Sequence, residues 1–528
     1  MLTAPFHLAR LARVGFVLAR EGAFGLVDQS ALPASLRLGV RLARLLERRG
    51  GDPGMGLAQA MTRLGPSYVK FGQFLATRPD IVGIKVADGL EALQDRMSPF
   101  PRAQAAAMIA AALDKPLASL FSDLGEPVAA ASIAQVHKAR LSADAEAHDV
   151  DVAVKVLRPG IEVRFMRDLA DMRFGARLIE RIAPSMRRLR PSAVVETLAR
   201  SVSIEMDLRL EAAALSEMAE NSKEDTDFRI PSVHWGRTAK EVLTLEWIDG
   251  VPLSHIAEIE AAGHDRQILA RIVIQSFLRH ALRDGFFHAD MHQGNLFVDT
   301  QGRLVAVDFG IMGRLGEKER RFLAEILYGF ITRDYRRVAE VHFEAGYVPH
   351  THAIGDFAQA IRAIGEPIHQ RRADQISMAK LLSLLFEVTA LFDMTTRTEL
   401  VMLQKTMVVV EGVGRMLDPK LDMWATADPV VRQWITRHLG PAGRLEQAAA
   451  GFGAFVSAAG KLPDLVTRAE RLLARFDAPE QAGRNSGGGM RLDEASIEAI
   501  GRAEARGARW RTLALWAIVV LAAIYVLR

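Results

Sequence analysis

The feature that most constrains this chain is the run from His288 to Gly310. It reads His288-Ala289-Asp290-Met291-His292-Gln293-Gly294-Asn295, then two short apolar segments about a turn at Asp299 to Gly302, then Asp308-Phe309-Gly310. Apolar segments flanking a tight turn predict a hairpin, so Asn295 and Asp308 at its open ends become neighbours. Asp290 ends a loop that points into the same cleft. Carboxylates and an amide oxygen converging on one point are what phosphoryl transfer asks of a protein, because that reaction is catalysed by positioning and charge. On this reading Asn295 and Asp308 ligate Mg²⁺ through hard oxygens, and Asp290 orients or deprotonates the nucleophile. The bland alternative is a hairpin capped by Asp and Asn, and the joint spacing of all three groups argues against it. His288 and His292 have the spacing of a zinc pair but no evident third ligand, and Gly294 opposes a rigid helix there.

A phosphate-handling cleft also needs a cation. Lys155 lies in Val152-Ala153-Val154-Lys155-Val156, where strand alternation sends its ammonium into a cleft and its neighbours into a core. A carboxylate should hold it, and a helix predicted over Ser203 to Leu215 offers Glu205, Asp207 and Glu211. Helical spacing keeps the three from sharing one direction, and Glu211 is the expected partner. Where a protein kinase carries a glycine-rich loop over ATP, this chain has Val128-Ala129-Ala130-Ala131-Ser132-Ile133-Ala134-Gln135-Val136. A Cβ removes the positive φ and close approach that glycine permits, so this loop must follow a different path. Read alone, the segment would be an alanine-rich helix start.

The rest of the chain frames that cleft. Apolar residues make up 49% and charged residues 25%, so disorder is not the default. The 67 basic and 63 acidic residues nearly cancel, and nucleic acid is not implied. There is no cysteine, which excludes disulfides, thiolate metal sites and cysteine nucleophiles. Residues 4–20 read as a basic amphipathic helix that packs on the body or touches a membrane surface. Residues 31–118 read as helices broken by Gly and Pro, residues 133–157 as a hairpin, residues 160–222 as helix, and Val242 to Trp247 as a strand. From Ser254 onward helix dominates, apart from the hairpin. Ala478 to Gly489 has linker composition. Thr512 to Leu527 then runs without a charge between Arg511 and Arg528, slightly short for a spanning helix but anchored by Trp510 and arginines.

The expected fold class is therefore α+β, a two-lobe protein-kinase-like fold with a helical N-terminal extension and a C-terminal membrane helix. The boundaries are an extension over 1–118, a sheet lobe over 119–250, a helical lobe over 251–440, a helical region over 441–477, a linker over 478–500 and a membrane anchor over 510–528.

Taken together, these residues resemble the UbiB family of atypical kinase-like proteins, called ADCK proteins in animals, over roughly residues 55–420. The marks are K-x-G-Q at Lys70-Phe71-Gly72-Gln73, the alanine-rich loop, the VAVK lysine, E-x-D at Glu205-Met206-Asp207, HAD-x-H-x-GN and DFG, all in order. Met291 and Gln293 stand where the family usually has proline, and no asparagine follows Glu211 in Ala212-Ala213-Ala214. Neither departure removes a ligand. The resemblance implies ATP and Mg²⁺ as cofactors and ATP hydrolysis or small-molecule phosphorylation in support of ubiquinone biosynthesis. It implies that the K-x-G-Q helix lies over the nucleotide cleft, with Lys70 and Gln73 regulatory beside Glu205 and Asp207. Implied partners are membrane lipid, quinone precursors and other ubiquinone-biosynthesis enzymes, at a bacterial inner membrane with the catalytic domain cytoplasmic. A true protein kinase and a nucleotide-binding pseudokinase scaffold are the competing readings. The short passage from Asp308 to a helix near Glu317 leaves no platform for a peptide, and intact Asp290 and Asp308 argue for chemistry.

Overall fold

In the computed structural model, strand β3 (Asp151–Leu157) is the centre of the sheet lobe. Its β-branched residues alternate as the sequence requires: Val152, Val154 and Val156 are fully buried on one face, while Ala153 and Lys155 look the other way. The sheet order is β1-β2-β3-β5, all antiparallel, with β1 at Phe121–Ala130, β2 at Ala134–Leu141 and β5 at Val242–Glu246. Helix Arg102–Leu113 covers the valine face, and Phe100, Ile109, Phe121, Leu141 and Val242 complete that core.

The structure describes residues 4–440 except 27–33, 48–52, 77–81, 83, 92, 94–96, 143–149, 183–186, 188–189, 370–387, 389–390 and 395–397. The described elements belong to one unit, Met1–Leu445; the other, Glu446–Arg528, lies outside the described residues. The linker and the apolar segment from Thr512 to Leu527 therefore lie outside them too. Among the described residues no helix is long and apolar enough to cross a membrane.

The N-terminal extension is helical at Ala4–Arg20, Ala34–Arg44, Pro53–Leu64, Pro66–Ala76 and Ile84–Glu91. The predicted breaks have a local cause. Gly65 sits at φ +103°, a conformation costly for residues with a Cβ, and Pro53 and Pro66 open the helices that follow. The Ala4–Arg20 helix is fastened to the Ile161–Ile182 helix through His7 and Arg10, which both meet the buried Asp171 carboxylate.

The helical lobe holds the predicted hairpin. Strands β8 (Leu296–Asp299) and β9 (Leu304–Ala306) pair in register Leu296↔Ala306 and Val298↔Leu304, and Gly302 at φ +80° makes the turn. The hairpin is part of a four-stranded sheet, β4-β9-β8-β6, with β4 at Phe228–Arg229 and β6 at Gly250–Pro252. An unexpected pair joins β7 (Phe286–His288) to β10 (Met312–Arg314) and brackets residues 289–311.

The alanine-rich segment forms the β1–β2 turn, closed by the Ala131 N–H donating to the Ala134 carbonyl at 2.8 Å, which excludes the helix start weighed as the alternative. One local expectation is corrected. The Ser203 to Leu215 helix is two helices, Pro191–Glu205 and Leu208–Asn221, because Asp207 takes extended backbone and caps the second through the Arg209 N–H.

Candidate active site

Between the two lobes lies a cleft of about 1470 Å³, lined by residues from both and from the N-terminal extension. Lys155, Asp290, Asn295 and Asp308 all line it. Lys155 Nζ lies 2.7 Å from Glu211 Oε1, 2.9 Å from Glu211 Oε2 and 3.5 Å from Asp308 Oδ2. Of the three carboxylates weighed for this lysine, Glu211 is the one it meets. The break at Asp207 explains the choice, since it re-aims the chain so that Glu211, in the first turn of its helix, faces β3.

Charge in this cluster follows from its surroundings. Burial works against the Lys155 ammonium, but Asp308 and Glu211 outweigh it and raise its pKa, so the lysine stays charged. Burial likewise opposes ionisation of Asp308, yet Lys155 and the Gly310 N–H, which donates to Oδ1 at 3.0 Å, hold its carboxyl down to about 2. The Asp308 side chain is 45% exposed toward the cleft, which fits an ionised group facing a cation site.

The segment from His288 to Asn295 is held at several points. The Asp290 N–H donates to His288 Nδ1 at 3.0 Å, and burial pushes the His288 pKa down, keeping the ring neutral and that nitrogen an acceptor. Asn295 Nδ2 donates to the Asp290 carbonyl at 3.1 Å, which leaves the amide oxygen as the group Asn295 offers a cation. The Gly294 N–H occupies His292 Nδ1 at 3.0 Å. His288 is buried and His292 exposed, so the two do not converge on a zinc ion, and no cluster of three metal-ligating side chains occurs among the described residues. Two oxygen ligands beside a phosphate site are what Mg²⁺ needs, because phosphates and water supply the rest of its octahedron.

The alanine-rich turn forms the upper wall, where Val128, Ala129, Ala130, Ala131, Ala134 and Val136 line the cleft. None of residues 128–136 has positive φ. The turn is also pinned: Arg158 donates from Nε to the Ala131 carbonyl at 3.0 Å and from its backbone to Ile133, and the Met97 N–H reaches Ala130. It is a fixed wall more than a flexible flap. Ser132 is buried within the turn, and Ile133 packs partly buried against the main core. Gln135 turns inward, accepting from the Phe100 N–H at 2.9 Å and donating to the Phe100 carbonyl at 3.1 Å, so its work is structural.

The K-x-G-Q helix supplies the roof. Lys70 and Gln73 line the cleft, and Lys70 Nζ lies 2.5 Å from Glu205 Oε2. Gly72 has a packing reason: a Cβ there would fall 2.3 Å from Leu93 Cδ1, and that closeness offsets the helix cost of glycine. Asp207 is engaged elsewhere, capping its helix and pairing with Arg209 at 2.7 Å.

Sequence reasoning missed a further wall of the cleft. Helix Thr398–Leu417 brings Met402, Lys405, Val408 and Val409 to the cleft, and the Thr406 hydroxyl donates to the Ala289 carbonyl at 2.9 Å, beside Asp290. A threonine in a long helix carries no local signal for such a role.

A model of the ABC1 atypical kinase-like domain matches residues 92–342, and one of the UbiB helical domain matches residues 361–422. A Marinobacter nauticus protein named "Probable protein kinase UbiB" is 38% identical over 483 residues, covering 90% of this chain and 87% of its own. A Xanthomonas euvesicatoria protein of the same name is 38% identical over 468 residues, covering 87% and 84%. A solved Mycobacterium tuberculosis protein in complex with erythromycin overlaps more loosely, at TM-score 0.47 and 23% identity over 75% of this chain and 97% of that one. The chain belongs to the UbiB family of ABC1 atypical kinase-like proteins.

Proposed function

We propose that this protein is an atypical kinase-like ATPase that handles Mg-ATP in the cleft and supports ubiquinone biosynthesis at a bacterial inner membrane, its catalytic body on the cytoplasmic side. The observation that carries the reading is the convergence of Lys155, Asp290, Asn295 and Asp308 on one cleft. Asn295 and Asp308 would hold Mg²⁺, which supplies charge neutralisation at the phosphates. Lys155, kept charged and fixed by Glu211, is the cation for the α- and β-phosphates. Asp290, its backbone locked by His288 and Asn295, orients or deprotonates the attacking oxygen.

A small or lipid-borne acceptor, or water, suits this cleft better than a peptide. Only Leu315 and Gly316 separate β10 from the Glu317–Thr332 helix, so the passage that follows Asp308 is too short to carry a peptide. The Lys70–Glu205 contact closes the roof from the other side. The relatives' name favours a protein kinase as the second reading. The uncharged run from Thr512 to Leu527, read from sequence, would keep the cleft near membrane-borne quinone precursors and the enzymes that process them.

Lipid profiling of cells lacking the protein tests the role. An accumulated quinone precursor is expected. An unchanged quinone pool would overturn the assignment to ubiquinone biosynthesis.

A further inference from the structure

Two bridges join the Leu208–Asn221 helix to the segment that begins at Asp308. The buried one runs from Glu211 through Lys155 to Asp308. The other lies the same number of residues further along both: Glu217 on the helix meets Arg314 on β10, with Nη1 2.7 Å from Oε1 and Nη2 2.6 Å from Oε2. The Arg314 guanidinium also lies over the ring of Phe286, its cross-strand neighbour on β7, with Cζ 4.3 Å from the ring centre. Neither Arg314 nor Glu217 lines the cleft.

Stability does not explain this second pair. Its side chains are 66% and 39% exposed, and an exposed ion pair adds little to folding. The helix already packs through Leu208, Ala212, Leu215 and Met218, and Glu217 lies off that buried face. What the pair adds is orientation. A single bridge leaves a pivot between two segments, and a second one about 9 Å further along the helix axis removes it. Strand β10 passes the restraint on in two directions. Asp308 precedes it in the chain, and its pairing with β7, together with the Ala289 N–H donating to the Ile311 carbonyl at 3.0 Å, ties it to the residues beside Asp290. Arg283 also reaches the helix end, at 3.0 Å from the Asn221 carbonyl, but it belongs to the turn His280–Asp284 and not to the segment after Asp308.

We propose that Arg314 is a positioning residue which, through Glu217, fixes the Glu211 helix against the Asp308 segment and so holds Lys155 and Asp308 in register for Mg-ATP. Arginine suits this place because its planar fork meets both carboxylate oxygens while its face lies on an aromatic ring. The pair biases the arrangement by no more than its own interaction free energy, so its effect on the site is modest in size. The proposal rests on the reading of the cleft as a Mg-ATP site, and assigns to that site a control that lies outside it.

The test uses the full-length protein in detergent. ATP binding is followed as Mg²⁺ is titrated, for wild type, Arg314→Ala, Glu217→Ala and the double variant, with thermal unfolding of the same samples. Each single substitution is expected to raise the Mg²⁺ needed for half-maximal ATP binding by about threefold to fivefold, the upper range of what an exposed ion pair supplies. The double variant should show no further rise, because either single already removes the whole contact. Thermal midpoints should stay within about 3 °C of wild type. Two lesser effects are told apart from positioning. The substitutions remove opposite charges, so an effect of the field alone moves the Mg²⁺ requirement in opposite directions, and partial unfolding lowers the amount of ATP bound without moving that requirement. Glu217→Ala places the best helix former on the helix, so it keeps the test decisive should Arg314→Ala fold poorly. Opposite shifts in the two singles, an additive double variant, or an unchanged Mg²⁺ requirement in Glu217→Ala overturns the proposal and leaves the Mg-ATP reading standing. A wild type that binds no ATP at any Mg²⁺ concentration overturns that reading, and the proposal with it.

Discussion

Lys155 on strand β3 and Glu211 in the first turn of the Leu208–Asn221 helix form a two-pronged ion pair, with Nζ 2.7 and 2.9 Å from the two carboxylate oxygens. Both side chains are largely buried, at 15% and 7% exposure. Burying both charges is expensive, so the pair is better explained by the cleft it serves than by stability alone. The Phe309 N–H also reaches toward Glu211 Oε1 at 3.5 Å, which ties this carboxylate to the backbone next to Asp308.

Removing one partner should therefore do more harm than removing both. Lys155→Met leaves Glu211 and Asp308 facing each other in the cleft and is expected to cost about 3–5 kcal/mol of stability. Lys155→Met with Glu211→Leu should recover most of that loss while leaving Mg-ATP binding impaired. Denaturant unfolding and nucleotide titration on the same samples check this. A double variant that regains nucleotide affinity would show that the lysine serves the fold and not the phosphates.

The site was legible where chemistry sits in contiguous sequence. Asn295 and Asp308 follow from the hairpin between them, Asp290 from the loop five positions before Asn295, and Lys155 from strand alternation, because each depends on local sequence pattern. The β7–β10 pair was not legible, since each strand is three residues long and its partner lies beyond the whole hairpin. Short strands made by distant pairing leave no period to read. The break at Asp207 did leave a signal, an Asp ahead of an apolar helix start, but the helical spacing on both sides masked it. The Lys405 wall could not be inferred at all, because only tertiary packing brings residues 402–409 to the cleft. The amphipathic reading of residues 4–20 matches a helix that packs through Asp171 yet leaves Phe6, Leu8 and Phe16 exposed.

Acid should weaken the fold already below neutrality. Burial pushes His234, His288 and His342 below the ordinary histidine value, so each is neutral in the folded state at pH 7. The unfolded chain takes up their protons below about pH 6.5. Their contribution is therefore full above that pH and is lost as pH falls toward their lower folded values. His342→Gln, in the Tyr335–Glu344 helix, should reduce the slope of unfolding free energy between pH 6.5 and 5 by up to about 1.4 kcal/mol per pH unit. Equal slopes in variant and wild type would contradict the assignment of His342 as buried and neutral.

Membrane attachment should reside after the catalytic body. Truncation following Asp477 removes the linker composition and the uncharged run from Thr512 to Leu527, and is expected to release the protein into the soluble fraction with Mg-ATP binding intact. Fractionation and nucleotide titration measure both. A truncated protein that still pellets with membranes would assign attachment to another surface, of which the exposed Phe6, Leu8 and Phe16 of the first helix are the first candidates.

The central claim is that this cleft cleaves the γ-phosphate of Mg-ATP and passes it to water or a small acceptor, not to a peptide. Incubation of the purified full-length protein with γ-labelled ATP, Mg²⁺, liposomes and a generic peptide mixture, with Asp290→Asn beside wild type, measures it in a single format. Slow phosphate release by wild type is predicted, lowered by about 10²-fold or more in Asp290→Asn, the usual size of a lost general base, with no label on peptide. Release unchanged by Asp290→Asn, or robust peptide labelling by wild type, would contradict the account.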